Sequence, residues 1–155
     1  LVIVGPLSDV FGKGKISAYA RALMSYAERS LPRDSYIFTG AVDREVLRKL
    51  YSVAYVCVLP SYAEAFPMVL IEAMACGLPI IIEESPTTSH LLEYSNGMTI
   101  KAGDIDALVS HIEYLNNNRK VLREKGEASM RLVNEKLNWN VIAKKTIDLY
   151  YMALQ

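Results

Sequence analysis

Short apolar runs alternate with amphipathic stretches along the first hundred residues. Leu1-Val2-Ile3-Val4 ends at Gly5 and reads as a buried strand of a parallel sheet. Ile16, Ala20, Leu23, Met24, Ala27 and Leu31 recur at helical spacing and predict a helix from about Lys15 to Leu31, stopped by Pro32. Tyr36 to Thr39 predicts a second strand, ending in Gly40. Asp43 is placed to cap a helix running through Tyr51, with Val46, Leu47 and Leu50 on one face. Ala54 to Leu59 is apolar and stops at Pro60-Ser61, as a third strand would.

The pattern then tightens. A loop leads to a helix from about Pro67 to Cys76, with Pro67 suited to its first position and Gly77 to the left-handed position past its end. Pro79 opens the strand Ile80-Ile81-Ile82. Pro86 or Thr87 starts a short helix through Glu93, and Asn96-Gly97 turns into the strand Met98-Thr99-Ile100. Beyond that point the chain reads as helical. Ile105, Leu108, Val109, Ile112 and Leu115 line one face of a helix, and His111 falls off that face as a solvated residue. Asn116-Asn117-Asn118 breaks it. Arg119 to about Asn134 is charged and exposed on one side. A final amphipathic helix, about 139–154, begins at Trp139, and its Tyr150-Tyr151 end either packs on this domain or docks on another.

Strands alternating with helices argue for an α/β fold: three layers, α/β/α, around a mostly parallel sheet of about five or six strands. Such sheets bind ligands beyond the carboxyl ends of their strands, where Gly5, Gly40, Pro60-Ser61 and Glu83-Glu84 fall. At 155 residues, 52% of them hydrophobic, the chain is expected to form one domain, 1–155, with a real core. The formal net charge of zero gives no bulk attraction to nucleic acid or an anionic membrane. No apolar run approaches the ~20 residues of a membrane span. The opening, directly on a strand and without Met or a basic leader, suggests a fragment of a longer protein. Cys57 and Cys76 are not spaced as a metal or redox pair and read as reduced core residues, which fits the cytoplasm.

The chemistry concentrates between Leu59 and Ile82. The first N–H groups of the helix there, on Met68, Val69 and Leu70, are expected to be free and to form, with the helix dipole, a site for an anion such as phosphate. Glu64 precedes them, and Glu72 lies about a turn and a half inside, its side chain leaning toward the N-terminus. Carboxylates repel phosphate but accept hydrogen bonds from sugar hydroxyls. Two of them flanking an anion hole describe a site for a nucleotide sugar. Each Glu alone is better explained as a solvated or dipole-favoured surface charge; it is the pair in this context that points to a ligand. Gly12-Lys13-Gly14-Lys15-Ile16-Ser17 partly imitates a dinucleotide-binding turn. It lies several residues past the strand, its third glycine position is Ser17, and no glycine stands where a P-loop needs one. A flexible cationic loop explains it better, and a nicotinamide oxidoreductase is disfavoured for the same reason.

Glu64, seven residues, Glu72, then Ala73-Met74-Ala75-Cys76-Gly77-Leu78-Pro79, resembles the donor-site motif of the retaining group 1 glycosyltransferases of the GT-B fold. Gly40-Ala41-Val42, Gly97 and Asn138-Trp139 extend the resemblance along the chain. It implies a Rossmann-like domain that is the donor-binding half of a two-domain enzyme of hexosyltransferase type. That enzyme would transfer a sugar from a UDP- or GDP-sugar to an acceptor hydroxyl in polysaccharide or glycoconjugate synthesis. It implies that Glu64 is the catalytic, sugar-binding acid, with Ala65, Phe66 and Pro67 beside the donor sugar. Met68 and Val69 would hold the diphosphate, Glu72 the ribose, and Gly40 and Val42 the nucleobase. No metal and no cofactor beyond the donor substrate are implied.

Relatives also carry an earlier strand, a Gly-Arg-Leu turn and a Lys-Gly pair. The spacing from Gly5 to Gly40 fits the second strand of the family domain. The chain is therefore expected to lack the first, central strand and the acceptor-binding N-terminal domain, and to be inactive by itself; any peripheral membrane association would run through that domain. Ala65 and Pro67 stand where the family usually has Gly. Pro86-Thr87 and His90 replace a Gly pair and a Glu. These departures motivate the alternative, a catalytically inactive nucleotide-sugar-binding or scaffold domain of the same fold.

Overall fold

A computed structural model describes residues 1–8, 15–61 and 64–154. The Gly12-Lys13-Gly14 stretch lies outside the described residues. The chain divides into two compact units, Leu1–Leu47 and Arg48–Gln155.

In the first unit, β1 (Val2–Val4) pairs in parallel with β2 (Ile37–Gly40), with a register shift between Ile3 and Val4. Helix α1 (Ala18–Ser30) connects them. It begins later than its apolar spacing predicts because Ser17 caps it, the hydroxyl accepting from the Ala20 N–H at 3.0 Å. Its far end closes with the Leu31 N–H on the Ala27 carbonyl at 2.9 Å, one residue before Pro32. Ala20 and Ala27 are its buried residues. Helix α2 (Arg44–Val53) starts where Asp43 predicts, the Asp43 carboxylate accepting from the Val46 N–H at 2.8 Å. The boundary between the units falls inside it.

The second unit is built on β3 (Cys57–Leu59), β4 (Ile80–Glu83) and β5 (Gly97–Ile100), in that order and all parallel. The central strand explains the rest. Ile80, Ile81 and Ile82 are 0%, 0% and 1% exposed, so both faces of β4 are covered. Successive side chains of a strand point to opposite faces. Ile80 and Ile82 accordingly pack with Leu70, Ile71 and Met74 of α3 (Met68–Ala75), with Leu91, and with Leu132 of α5 (Arg119–Leu132). Ile81 packs on the other face with Ile100 and Leu115 of α4 (Ile105–Asn117). This is the predicted α/β/α layering. Against the five or six strands expected, the described residues hold five, hydrogen-bonded as a two-stranded sheet in the first unit and a three-stranded sheet in the second.

Local endings follow the sequence closely. Gly77 takes φ 80° after α3, and Asn118 separates α4 from α5. The segment after β4 shortens to a 3-10 turn, Ser89–Leu92, and α5 runs on into a π-helical turn, Val133–Leu137. Asn138 then caps α6 (Trp139–Ala153), accepting from the Val141 N–H at 3.1 Å. No residue of α6 is buried. His111 is not a free surface residue as its helical position predicted: it is half-buried, and its Nε2 lies 3.0 Å from the Thr99 carbonyl. The offset from the apolar stripe leaves the ring room to reach the end of β5.

Gly126 has a role that periodicity alone does not reveal. A Cβ there would sit 2.2 Å from the Gly77 carbonyl oxygen, so α5 and the end of α3 approach backbone to backbone. An alanine cannot fit without moving a helix. Gly126→Ala is expected to destabilise the chain by about 1–3 kcal/mol, against a gain from helix propensity of roughly 1 kcal/mol. A lower urea midpoint at unchanged slope would register this; an unchanged or higher midpoint would contradict it.

Candidate functional site

The candidate site is the rim at the carboxyl ends of β3 and β4, in the second unit. Two connections meet there: the loop from β3 to α3, and the segment from β4 to the 3-10 turn.

Pro67 decides how α3 begins. It is buried and occupies the N-cap with φ −80° and ψ 86°, not the first helical position that its ring geometry suggested. That ψ is not helical, so the helix opens one residue later, at Met68. The turn this makes redirects two backbone donors. The Met68 N–H donates to the Phe66 carbonyl and the Leu70 N–H to the Pro67 carbonyl, each at 3.0 Å. The expectation of three free N–H groups is thus corrected. Of the three, only the Val69 N–H makes no hydrogen bond to a described residue.

The two acids lie on either side of this turn in sequence, both half-buried. Glu64 sits in the loop, and its carbonyl accepts from the Thr87 hydroxyl at 2.9 Å. Glu72 sits in α3 one turn past Met68. Ala65 is exposed. Phe66 is half exposed, and its ring stacks on His90 with centroids 6.0 Å apart and planes 7° from parallel. Gly40 and Val42 belong to the first unit. Gly40 ends β2 with φ 70°, and Val42 is half-buried in the loop that follows.

Two residues near the rim were given no role at the site by the sequence. Tyr51 reads as the end of an amphipathic helix, yet it is buried and its hydroxyl donates to the Val69 carbonyl at 3.1 Å. Helix α2 is thereby tied to the first turn of α3. Burial, helped by the nearby Cys57, Glu72 and Cys76, pushes the Tyr51 phenol well above its ordinary range, so it remains a donor at any physiological pH. Thr87 is the other. Its signal was available only as a departure from the family pattern.

The cysteines divide. Cys57 is half-buried in β3 and burial pushes its thiol up to about 11, whereas Cys76 is exposed at the C-cap of α3 and is not the core residue its apolar neighbours implied. Among the described residues, no cluster of three or more His, Cys, Asp or Glu could hold a metal ion. Nor is any described helix long and apolar enough to cross a membrane.

Residues 1–132 match the family described as "Glycosyl transferases group 1". An uncharacterized glycosyltransferase of Methanocaldococcus jannaschii is 30% identical over 134 residues, covering 79% of this chain and 32% of its own length. The alpha-galactosylglucosyldiacylglycerol synthase of Streptococcus pneumoniae is 35% identical over 106 residues, covering 67% of this chain and 28% of its own. The chain thus spans about a third of the curated relatives it matches. Among solved structures, the sucrose-phosphate synthase of Thermosynechococcus elongatus superposes with a TM-score of 0.83 at 30% identity, over 99% of this chain and 38% of that one. TarM superposes with a TM-score of 0.72 at 22% identity, over 86% of this chain and 27% of that one.

Two outcomes follow from this geometry. Tyr51→Phe removes one hydrogen bond from the start of α3 and is expected to lower stability by about 0.5–1.5 kcal/mol in urea denaturation; no change would mean the hydroxyl carries nothing. At pH 8, iodoacetamide should modify Cys76 well before Cys57, whose thiolate fraction is roughly one in a thousand at a pKa near 11. Modification of Cys57 should accelerate as the pH rises toward 11. Mass spectrometry showing equal rates at pH 8 would refute the assignment.

Proposed function

The chain belongs to the group 1 glycosyl transferases, and we propose that it is the donor-binding half of a retaining, hexosyl-transferring enzyme that uses a nucleoside diphosphate sugar. The observation that carries this reading is the pair Glu64 and Glu72 around the turn at Pro67, with the Val69 N–H between them in sequence making no hydrogen bond to a described residue. Glu72 accepts hydrogen bonds from the ribose hydroxyls. Glu64, with Ala65, Phe66 and Pro67, faces the donor sugar. The diphosphate rests against the start of α3, at Met68 and Val69. Gly40 and Val42 are assigned to the base on family likeness alone.

In transfer, the bond from the anomeric carbon to the diphosphate oxygen breaks. A bond to the acceptor oxygen forms on the same face, and the acceptor hydroxyl gives up its proton to the departing diphosphate oxygen. Negative charge grows on the departing diphosphate. A preoriented N–H and the helix dipole stabilise that charge without reorganisation. One unpartnered N–H is a modest contribution. Cationic groups from elsewhere in the full-length protein are expected to share the load.

The acceptor side, and with it the chemistry of the product, belongs to an N-terminal domain outside this chain. A doubly wound sheet of strand order 3-2-1-4-5-6 leaves strands in groups of two and three when its first is left out. The division into β1–β2 and β3–β4–β5 supports reading β1 as the second strand of the family domain. A second reading, a nucleotide-sugar binder without transfer, is favoured by the Met68 N–H, which is turned back onto Phe66.

Substitution in the full-length protein separates these readings. Glu72→Ala is expected to weaken nucleoside diphosphate binding about 10- to 100-fold, the loss of hydrogen bonds to a charged group. Glu64→Ala should leave that binding within about twofold and lower sugar transfer by a similar 10- to 100-fold. Wild-type kinetics in both variants would remove the site assignment. Tight binding without turnover of any donor in the wild type would favour the non-catalytic reading.

A further inference from the structure

Two positions where this chain departs from its family, Thr87 and His90, contact two residues of the loop assigned to the donor sugar, Glu64 and Phe66. Thr87 and His90 follow β4, and Glu64 and Phe66 precede α3. The Thr87 hydroxyl donates to the Glu64 carbonyl at 2.9 Å, and the Phe66 ring lies parallel over His90 at 6.0 Å. We propose that Thr87 and His90 are positioning residues that set the conformation of the sugar-facing loop 64–67. The proposal rests on the reading of Glu64 and Phe66 as donor-sugar residues.

The loop needs such support. Ala65 is exposed and Phe66 half exposed, so neither is held by burial. Among the described residues, the Thr87 hydroxyl is what ties the Glu64 backbone to another element by a hydrogen bond. The supporting side, by contrast, is well braced. The Thr87 and Ser85 hydroxyls lie 2.9 Å apart, and the Thr87 N–H also reaches the Ser85 hydroxyl at 3.3 Å. The Thr88 and Ser89 N–H groups both donate to the Ser85 carbonyl at 3.1 Å. His90 is followed by Leu91, which is fully buried, and the Leu91 carbonyl accepts from the side chain of the fully buried Asn96 at 2.9 Å. The His90 ring therefore stands on an anchored turn, and its offset-stacked partner is the half-exposed Phe66. A Gly pair and a Glu at these places could supply neither the hydroxyl nor the ring.

Mechanistically, the hydrogen bond fixes the Glu64 peptide and so the origin of its side chain. The stack fixes Phe66, two residues on. Between them they limit the rotations that would swing the carboxylate away from a bound sugar. Misplacement of a positioning group costs turnover more than it costs affinity for the part of the ligand it does not touch.

The test uses the full-length protein and four substitutions: Thr87→Val and His90→Ala, which remove the two contacts, and Thr87→Ser and His90→Phe, which keep them. Turnover of the nucleotide sugar (kcat/KM) should fall about 5- to 20-fold in the first pair and return to within about twofold in the second, the size expected for one hydrogen bond or one ring contact. Affinity for the nucleoside diphosphate alone should stay within about twofold in all four. Amide hydrogen exchange should quicken at residues 64–68 in the first pair and nowhere else in the second unit. Unchanged turnover and exchange would overturn the proposal, and so would an equal loss of diphosphate affinity or absence of rescue. If the wild type turns over no donor, exchange alone decides: local quickening upholds the positioning role and leaves the sugar assignment of Glu64 as what failed.

Discussion

Three consecutive isoleucines with no contact to water impose the architecture of the second unit. Ile80, Ile81 and Ile82 alternate between faces, and each face must be covered by apolar surface of its own. At ~25 cal/mol per Å2 of apolar surface buried, each fully covered isoleucine contributes on the order of 1.5–3 kcal/mol. No arrangement with helices on one side could collect that from all three. The parallel pairing of β4 to both β3 and β5 follows from the same burial, since parallel sheets are found covered on both faces. Helix α3 lies on the face of Ile80 and Ile82, through Leu70, Ile71 and Met74. Its N-terminus is consequently brought to the carboxyl ends of the strands, where α/β sheets bind ligands.

The site inherits its character from that placement and from one proline. Pro67 has no N–H, and its ψ of 86° keeps it out of the helix. The chain answers by turning the Met68 N–H onto Phe66. A helix start that would otherwise present several donors presents, among the described residues, one, at Val69. Around it the protein adds contacts made by side chains: Tyr51 on the Val69 carbonyl, Thr87 on the Glu64 carbonyl, His90 on the Phe66 ring. Rigidity that a glycine-rich loop would draw from close backbone approach is here drawn from hydroxyls and an aromatic pair. Polar contacts at an exposed rim are individually weak. Their value lies in agreeing on one loop conformation.

Much of this was legible beforehand because it is local. Asp43 caps its helix in the way its side-chain oxygen predicts, and Gly77 takes the left-handed turn only glycine takes cheaply. The alternation of apolar runs identified the strands to within a few residues. The misreadings share a cause. His111 and Cys76 were judged from their own helices, but their exposure is set by what another element brings or fails to bring. Gly126 sits in a charged helix with nothing in its neighbourhood of the sequence to explain it; its reason is the Gly77 carbonyl, 49 positions earlier by subtraction of the two residue numbers.

Periodicity, capping and a dense motif are properties of neighbouring residues, and for that reason the class of fold, the order of its elements and the family could be read from the residues alone. Tertiary structure decided that Tyr51 reaches the first turn of α3, that Thr87 and His90 meet the Glu64 loop, and that the strands pair as two and three. The contacts at the loop and at the start of α3 join residues some 18 to 24 positions apart, Tyr51 with Val69 and Phe66 with His90 among them. Whether such groups meet is settled by packing around β4, which no local pattern encodes.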